Sequence, residues 1–281
     1  MKLSVTFDKE SSRLIEQCLN DFRREIKKAS LTLDSRYLRI ILSSLRHLLR
    51  FHSYREALRE ESNVVMPQHV KKVLNRAVFL KEDVNTLVRR LYNQQKVILK
   101  MLDELYGILV ENLIILDAGC GWGRLPIEIK SLEGNAEGIV GIDLDMTSLS
   151  YVKSEIPEGN FVRADICFLP IRAKSLAAIV NIAVIHEINT IEGREKAIEE
   201  FSRVLRKAGH LYLIDTFSTR KFFEVIRRLL RKISRKYEWY WSVNHMIRCL
   251  QKSNFEVLTI SRIGKATPTR ATYFILSKLR D

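Results

Sequence analysis

Cysteine is scarce in this chain. Cys18, Cys120, Cys167 and Cys249 are spread over 281 residues with no Cys-x-x-Cys pair. That spacing leaves a disulfide framework or a zinc knuckle without support and makes a reducing cytoplasm the simpler setting. No metal site is expected either, since His47, His52 and His69 have no partners at metal-ligand spacing. Long apolar runs are also missing: no stretch approaches the ~20 residues that a membrane span needs. The segment Met1 to Glu10 has no apolar core of signal-peptide length, so a soluble protein is expected. There is no internal repeat and no low-complexity linker.

What is present is an ordinary globular composition, 46% hydrophobic and 28% charged, with a large positive balance of +14. Residues 1–110 hold 21 Lys/Arg against 13 Asp/Glu, +8; residues 111–215 hold 11 against 16, −5; residues 216–281 hold 15 against 4, +11. A mildly acidic middle between two basic flanks fits a chain whose flanks meet a polyanion, or one whose basic helices are simply solvated faces.

The first 110 residues read as helices. Leu14, Ile15, Cys18, Leu19, Phe22 and Ile26 recur at helical spacing over 9–29. A second helix is expected from Ser35 to about Arg59, capped by Asp34 or Ser35. Pro67 is placed to open a third. Asp83 to Val110 reads as a long or broken helix leading into the next segment. This is a helical N-terminal domain or cap, 1–110, followed by a second domain over 111–281.

The second domain begins with Asn-Leu-Ile-Ile-Leu-Asp-Ala-Gly-Cys-Gly-Trp-Gly-Arg at 112–124. Leu113 to Leu116 is an apolar run suited to a buried parallel strand, ended by Asp117. Gly119, Gly121 and Gly123 then alternate through a turn in which the lack of Cβ allows positive φ and close approach to a ligand. A helix from near Arg124 points its free N–H groups at that ligand. The spacing is neither the dinucleotide fingerprint nor a phosphate loop, which would end in Gly-Lys-Ser/Thr. Cys120, inside this turn, reads as a small packing residue. Further strands follow: 138–143 ends in Asp143, whose carboxylate can accept both hydroxyls of a ribose; 161–166 carries Asp165, able to accept from an adenine amino group, beside the Ile166 N–H; 176–185 runs to His186-Glu187. A helix over 195–206 and a strand over 210–216 complete the unit.

Asp117-x-Gly119-x-Gly121-x-Gly123 resembles the first motif of the class I S-adenosylmethionine (SAM) methyltransferases, and the order of strands, helices and acidic positions over 112–216 is similar to that family's. The resemblance implies an α/β, Rossmann-like sheet whose last strand is antiparallel, supplied here by Phe255–Ile263 and Thr272–Leu279. It implies SAM as cofactor, with Asp117 near its amino group, Gly119, Gly121 and Gly123 against its methionine part, Asp143 on the ribose, and Asp165 and Ile166 at the adenine. Asn181 to Gly209 also resembles the tRNA wobble-uridine carboxymethyl methyltransferases, with Glu187 where that family usually has a second histidine. The same block is shared more loosely with quinone-ring methyltransferases. His186, at the end of the fourth strand, is the candidate catalytic residue; it is a base, a substrate hydrogen-bond partner or a structural residue.

One stretch outside these motifs is unusual. Residues 220–236 carry eight Lys/Arg, with Phe222, Phe223, Ile226, Leu229, Leu230 and Ile233 on one helical face and Arg227, Arg228, Arg231, Lys232, Arg235 and Lys236 on the other. Such a basic helical insertion, about 218–241, suits phosphate oxygens or an anionic membrane surface. Tyr237, Trp239, Tyr240 and Trp241 follow, suited to stacking on unpaired bases or to packing. Three functions are therefore open: a methyltransferase acting on RNA, tRNA first, with Arg227, Arg228 and Arg231 on the substrate; a small-molecule or lipid methyltransferase; and a catalytically silent RNA-binding subunit of this fold.

Overall fold

The computed structural model describes residues 6–28, 34–62, 64–76, 84–134, 136–218, 241–263 and 270–280. The basic stretch 220–236, with Arg227, Arg228 and Arg231, lies outside the described residues. Among those described, no helix is long and apolar enough to cross a membrane. The chain forms two compact units, one of Met1–Leu99, Gly121–Ala136 and Asp145–Glu158, the other of Lys100–Cys120, Glu137–Leu144 and Gly159–Asp281.

The first unit is helical. A two-residue strand β1 (Thr6–Phe7) pairs in parallel with β2 (Val64–Val65), and α1 (Lys9–Lys28), α2 (Ser35–Arg59) and α3 (Pro67–Arg76) surround this short ladder. Ile15, Leu19, Phe22 and Ile26 of α1 are buried, as their spacing requires. Asp34 caps α2, its Oδ1 accepting from Arg36 N at 2.8 Å and Tyr37 N at 3.2 Å. A third helix begins at Pro67 as expected. The N-terminal part of α4 (Val84–Val110), together with α5 (Arg124–Glu133) and α6 (Met146–Glu155), completes the unit.

Helix α2 is the axis of this unit because it touches α1, α3, α5 and α6. Several polar groups along this covered helix and its neighbours are paired across the contacts. Ser44 Oγ and Arg124 Nε both donate to Glu128 Oε1 at 2.8 Å, so the carboxylate of Glu128 is buried with a cation beside it. Arg50 Nη2 meets Glu155 at 2.9 Å, and the Tyr151 hydroxyl donates to the His47 carbonyl at 3.1 Å. Tyr151 packs among Phe51 and Tyr54, with ring centroids 5.3 and 5.6 Å away.

The second unit is built on a seven-stranded sheet. Its strands are β3 (Ile115–Ala118), β4 (Ile139–Asp143), β5 (Asn160–Arg163), β6 (Leu176–Ile182), β7 (Leu205–Ser218), β8 (Phe255–Arg262) and β9 (Arg270–Leu279). They lie in the order β5-β4-β3-β6-β7-β9-β8. Neighbours from β5 to β7 pair in parallel, and β9 is inserted antiparallel between β7 and β8. Helices α7 (Ile191–Val204) and α8 (Val243–Lys252) belong to this unit, as does the end of α4, tied to β7 by the Tyr212 hydroxyl donating to Glu104 at 2.9 Å. Leu116, Ile179, Phe201, Leu211, Leu213 and Ile275 are fully buried around the sheet, each contributing ~1.5–3 kcal/mol by leaving water.

Several boundaries differ from those read along the sequence. β3 starts two residues later than Leu113 and runs through Asp117, because Asp117 is paired on both sides, with Gly141 and Val180. β5 stops at Arg163, leaving Asp165 in the following turn. β6 stops at Ile182 because Ala183 takes φ +58°, which no strand accommodates, and a 3₁₀ turn over Ile185–Glu187 follows. Helix α7 begins four residues before Glu195, where Thr190 caps it by accepting from Gly193 N at 3.0 Å.

Candidate active site

The C-terminal ends of parallel strands are where an open α/β sheet presents its ligand-binding loops. Here Asp117, Asp143 and Asp215 lie at or near those ends of β3, β4 and β7, while Asp165 and His186 lie in the turns after β5 and β6. The structure thus brings Asp117, Gly119, Asp143, Asp165, Ile166 and His186 to one edge of the sheet.

Asp117 is buried in the last rungs of β3. The turn after it is fastened by two donors on one acceptor, Gly119 N at 2.8 Å and Cys120 N at 2.9 Å from the Ile142 carbonyl. Asn181, fully buried on β6, donates from Nδ2 to the Ala118 carbonyl at 2.8 Å and holds the turn from the other side. Gly119 adopts φ +80°, and a Cβ there would come within 2.3 Å of Val184 Cγ2. Cys120 is buried, and burial, reinforced by the Asp117 and Asp143 carboxylates, pushes its thiol far up and keeps it protonated. It is a packing residue and not a nucleophile.

The turn runs on through Gly121 (φ +49°) to Gly123 (φ +85°), which precedes α5. A Cβ on Gly123 would come within 2.0 Å of Val152 Cγ2, whereas one on Gly121 would meet nothing within 4 Å. Two glycines are required by the protein's own packing. Gly121 alone faces open space.

Beyond β4, the Asp143 carbonyl accepts from Ala164 N at 3.2 Å. Asp165 Oδ1 accepts from Cys167 N at 2.8 Å, closing a turn that exposes Phe168, and Leu144 is exposed after Asp143. Burial, with Asp165 beside it, pushes the Cys167 thiol up to about 11.

The turn carrying His186 is gripped from two sides. Asp215, 2% exposed, accepts from the His186 backbone N–H at 3.2 Å through Oδ2 and sits 2.6 Å from His186 Nδ1 through Oδ1. Arg194, also 2% exposed, donates from Nε to the Ile188 carbonyl at 2.7 Å and from Nη2 to the His186 carbonyl at 3.0 Å. The His186 side chain remains 19% exposed, and its Nε2 lies 3.4 Å from Glu187. An imidazole reachable from solvent but oriented by a buried carboxylate is the arrangement of a proton acceptor. Sequence reading missed Asp215, Arg194 and Asn181. Asp215 had a signal, an aspartate closing an apolar strand like Asp117 and Asp143; Arg194 and Asn181 had none.

These residues fit the cofactor implied by the motif resemblance. Asp143 and Asp165 are acceptors of the kind that ribose hydroxyls and an adenine amino group need, Ile166 carries a backbone N–H, and Asp117 suits an ammonium.

Residues 116–213 match the family model described as "Methyltransferase domain". The ubiquinone/menaquinone biosynthesis C-methyltransferase UbiE of Campylobacter jejuni is 33% identical over 112 residues, 38% of this chain and 46% of that protein. A protein of Mycobacterium tuberculosis described as a probable SAM-dependent methyltransferase is 30% identical over 97 residues, 34% of this chain and 33% of that one. This chain therefore spans less than half the length of these relatives. A solved SAM-dependent methyltransferase from Methanosarcina mazei superposes with a TM-score of 0.48 at 18% identity, covering 61% of this chain and 97% of that one. Residues 116–213 thus carry a methyltransferase domain, on a Rossmann-like sheet of order β5-β4-β3-β6-β7-β9-β8 with β9 antiparallel, the fold that the motif resemblance implies.

Proposed function

We propose that the protein methylates a small molecule whose acceptor atom gives up a proton, with His186 as general base and Asp215 as its positioning residue. The observation that carries this reading is the 2.6 Å approach of His186 Nδ1 to Asp215 Oδ1. Assigned from that distance, the imidazole tautomer carries its hydrogen on Nδ1, leaving the Nε2 lone pair to take a proton. A carboxylate acceptor has no proton to lose and no use for such a base; an activated ring carbon, a nitrogen or a hydroxyl has both. SAM, when bound, supplies a methyl group on a sulfonium, an electrophile. Asp117, Asp143 and Asp165 would hold it, and His186 Nε2 would take the proton that the acceptor gives up. The resemblance to UbiE, by name a C-methyltransferase of quinone biosynthesis, supports an electron-rich ring carbon as acceptor.

A tRNA acceptor is the second reading, supported by basic flanks of +8 and +11 around a segment of −5 and by the resemblance of 181–209 to the wobble-uridine enzymes. One experiment separates the two. The full chain is incubated with methyl-labelled SAM and, separately, quinone-bearing lipid extract, tRNA and protein. Label is expected in the lipid extract, with His186→Gln lowering kcat by ~10²–10⁴ while SAM affinity is unchanged. Label in tRNA alone, with His186→Gln fully active, would overturn the first reading in favour of the second.

A further inference from the structure

Glu195, His245 and Cys249 are 50 or more residues apart across the two helices that carry them, yet their ligating atoms all lie within 4.8 Å of one another. His245 and Cys249 are one helical turn apart in α8 and so share a face. Glu195 projects from α7, and the Cys249 thiol sits 3.8 Å from its Oε1. Adjacent ligands of a tetrahedral zinc ion stand roughly 3.3–3.7 Å apart, given the usual metal–ligand lengths.

We infer that these three side chains form a binding site for a borderline-soft divalent cation of the zinc class, pinning α8 to α7. One thiolate, one imidazole and one carboxylate suit zinc and disfavour magnesium or calcium, which take oxygen ligands. Cys249 is buried while Glu195 and His245 are half-buried. The His245 ring packs on Trp241 at 4.4 Å between centroids, which limits its rotation. Cys249 would bind the cation as thiolate, its proton leaving to solvent. Arg194, the neighbour of Glu195, holds the His186 turn through two carbonyls and lies 5.7 Å over the Trp241 ring. A cation at this site therefore braces the turn carrying His186 without touching it.

The test is titration of the chelator-treated full chain with cobalt(II). One equivalent should bind with tetrahedral d–d absorption and a thiolate-to-cobalt charge-transfer band, and one equivalent of zinc should bleach both. Cys249→Ser should abolish the charge-transfer band, His245→Ala should weaken binding at least tenfold, and Cys18→Ser should change nothing. Zinc should also raise the melting temperature of the wild type and not of Cys249→Ser. Absence of the band in the wild type, or its persistence in Cys249→Ser, overturns the site. SAM affinity measured in parallel reports on the methyltransferase reading independently.

Discussion

The three glycines of the turn have different reasons to be there. At Gly119 and Gly123 a methyl group would collide with Val184 and Val152, so alanine should destabilise the fold by ~1–3 kcal/mol through overpacking, besides the strain of positive φ. At Gly121 the space is open, so Gly121→Val should cost only backbone strain of ~1–2 kcal/mol while lowering SAM affinity at least tenfold. Thermal denaturation beside calorimetric titration checks this; equal loss of stability at all three positions would contradict it. Asp143→Ala should weaken SAM by ~1–3 kcal/mol, the loss of a charged acceptor for its hydroxyls. Asp165 also closes its own turn through Cys167 N, so Asp165→Asn, which keeps that acceptor, should discriminate loss of adenine recognition from loss of the turn better than alanine does. Asp215→Asn should reduce kcat without changing SAM affinity, because it disturbs the His186 tautomer and nothing at the β3, β4 or β5 ends.

At the scale of elements, capping and pairing decide where things stop. Asp34 satisfies two free N–H groups of α2, the helix on which the first unit is assembled, so Asp34→Ala should cost ~1 kcal/mol and Asp34→Asn much less. The helices of this unit were legible because Ile15, Leu19, Phe22 and Ile26, or the Asp34 cap, announce themselves within a few residues. The end of β6 was not legible. Leu176 to Ile185 is apolar but for Asn181, and nothing local says that Ala183 will turn left-handed and release a 3₁₀ turn. That turn exists because Asp215 and Arg194, 29 and 8 residues from His186, supply its hydrogen bonds.

For the molecule as a whole, charge and titration give two further expectations. Burial lowers the pKa of His47, of His52 and of His210, so the unfolded chain binds more protons than the folded one as these groups titrate. Stability should be fully present above the ordinary imidazole value of about 6.5 and should decline as pH falls below it toward the lowered folded values; a denaturation series from pH 8 to pH 5 measures this, and a flat profile would contradict it. If the second functional reading holds, RNA affinity should fall steeply with salt, and charge reversal at Arg227, Arg228 and Arg231 should flatten that slope by ~0.7 for each phosphate no longer neutralised. Anionic vesicles binding tightly where RNA does not would assign the basic stretch to a membrane surface instead.

The sequence by itself determined the fold class, the chain order of the parallel strands, and the glycine turn that follows the first of them. Those signals are local: apolar periodicity, an aspartate closing a strand, glycines where φ must be positive. Only the tertiary structure decided which glycine faces open space, that Asp215 meets His186, and that Glu195 meets His245 and Cys249. Each of those depends on backbone paths of tens of residues closing to within a hydrogen-bond length or a few ångströms, and no pattern within a short window carries that distance.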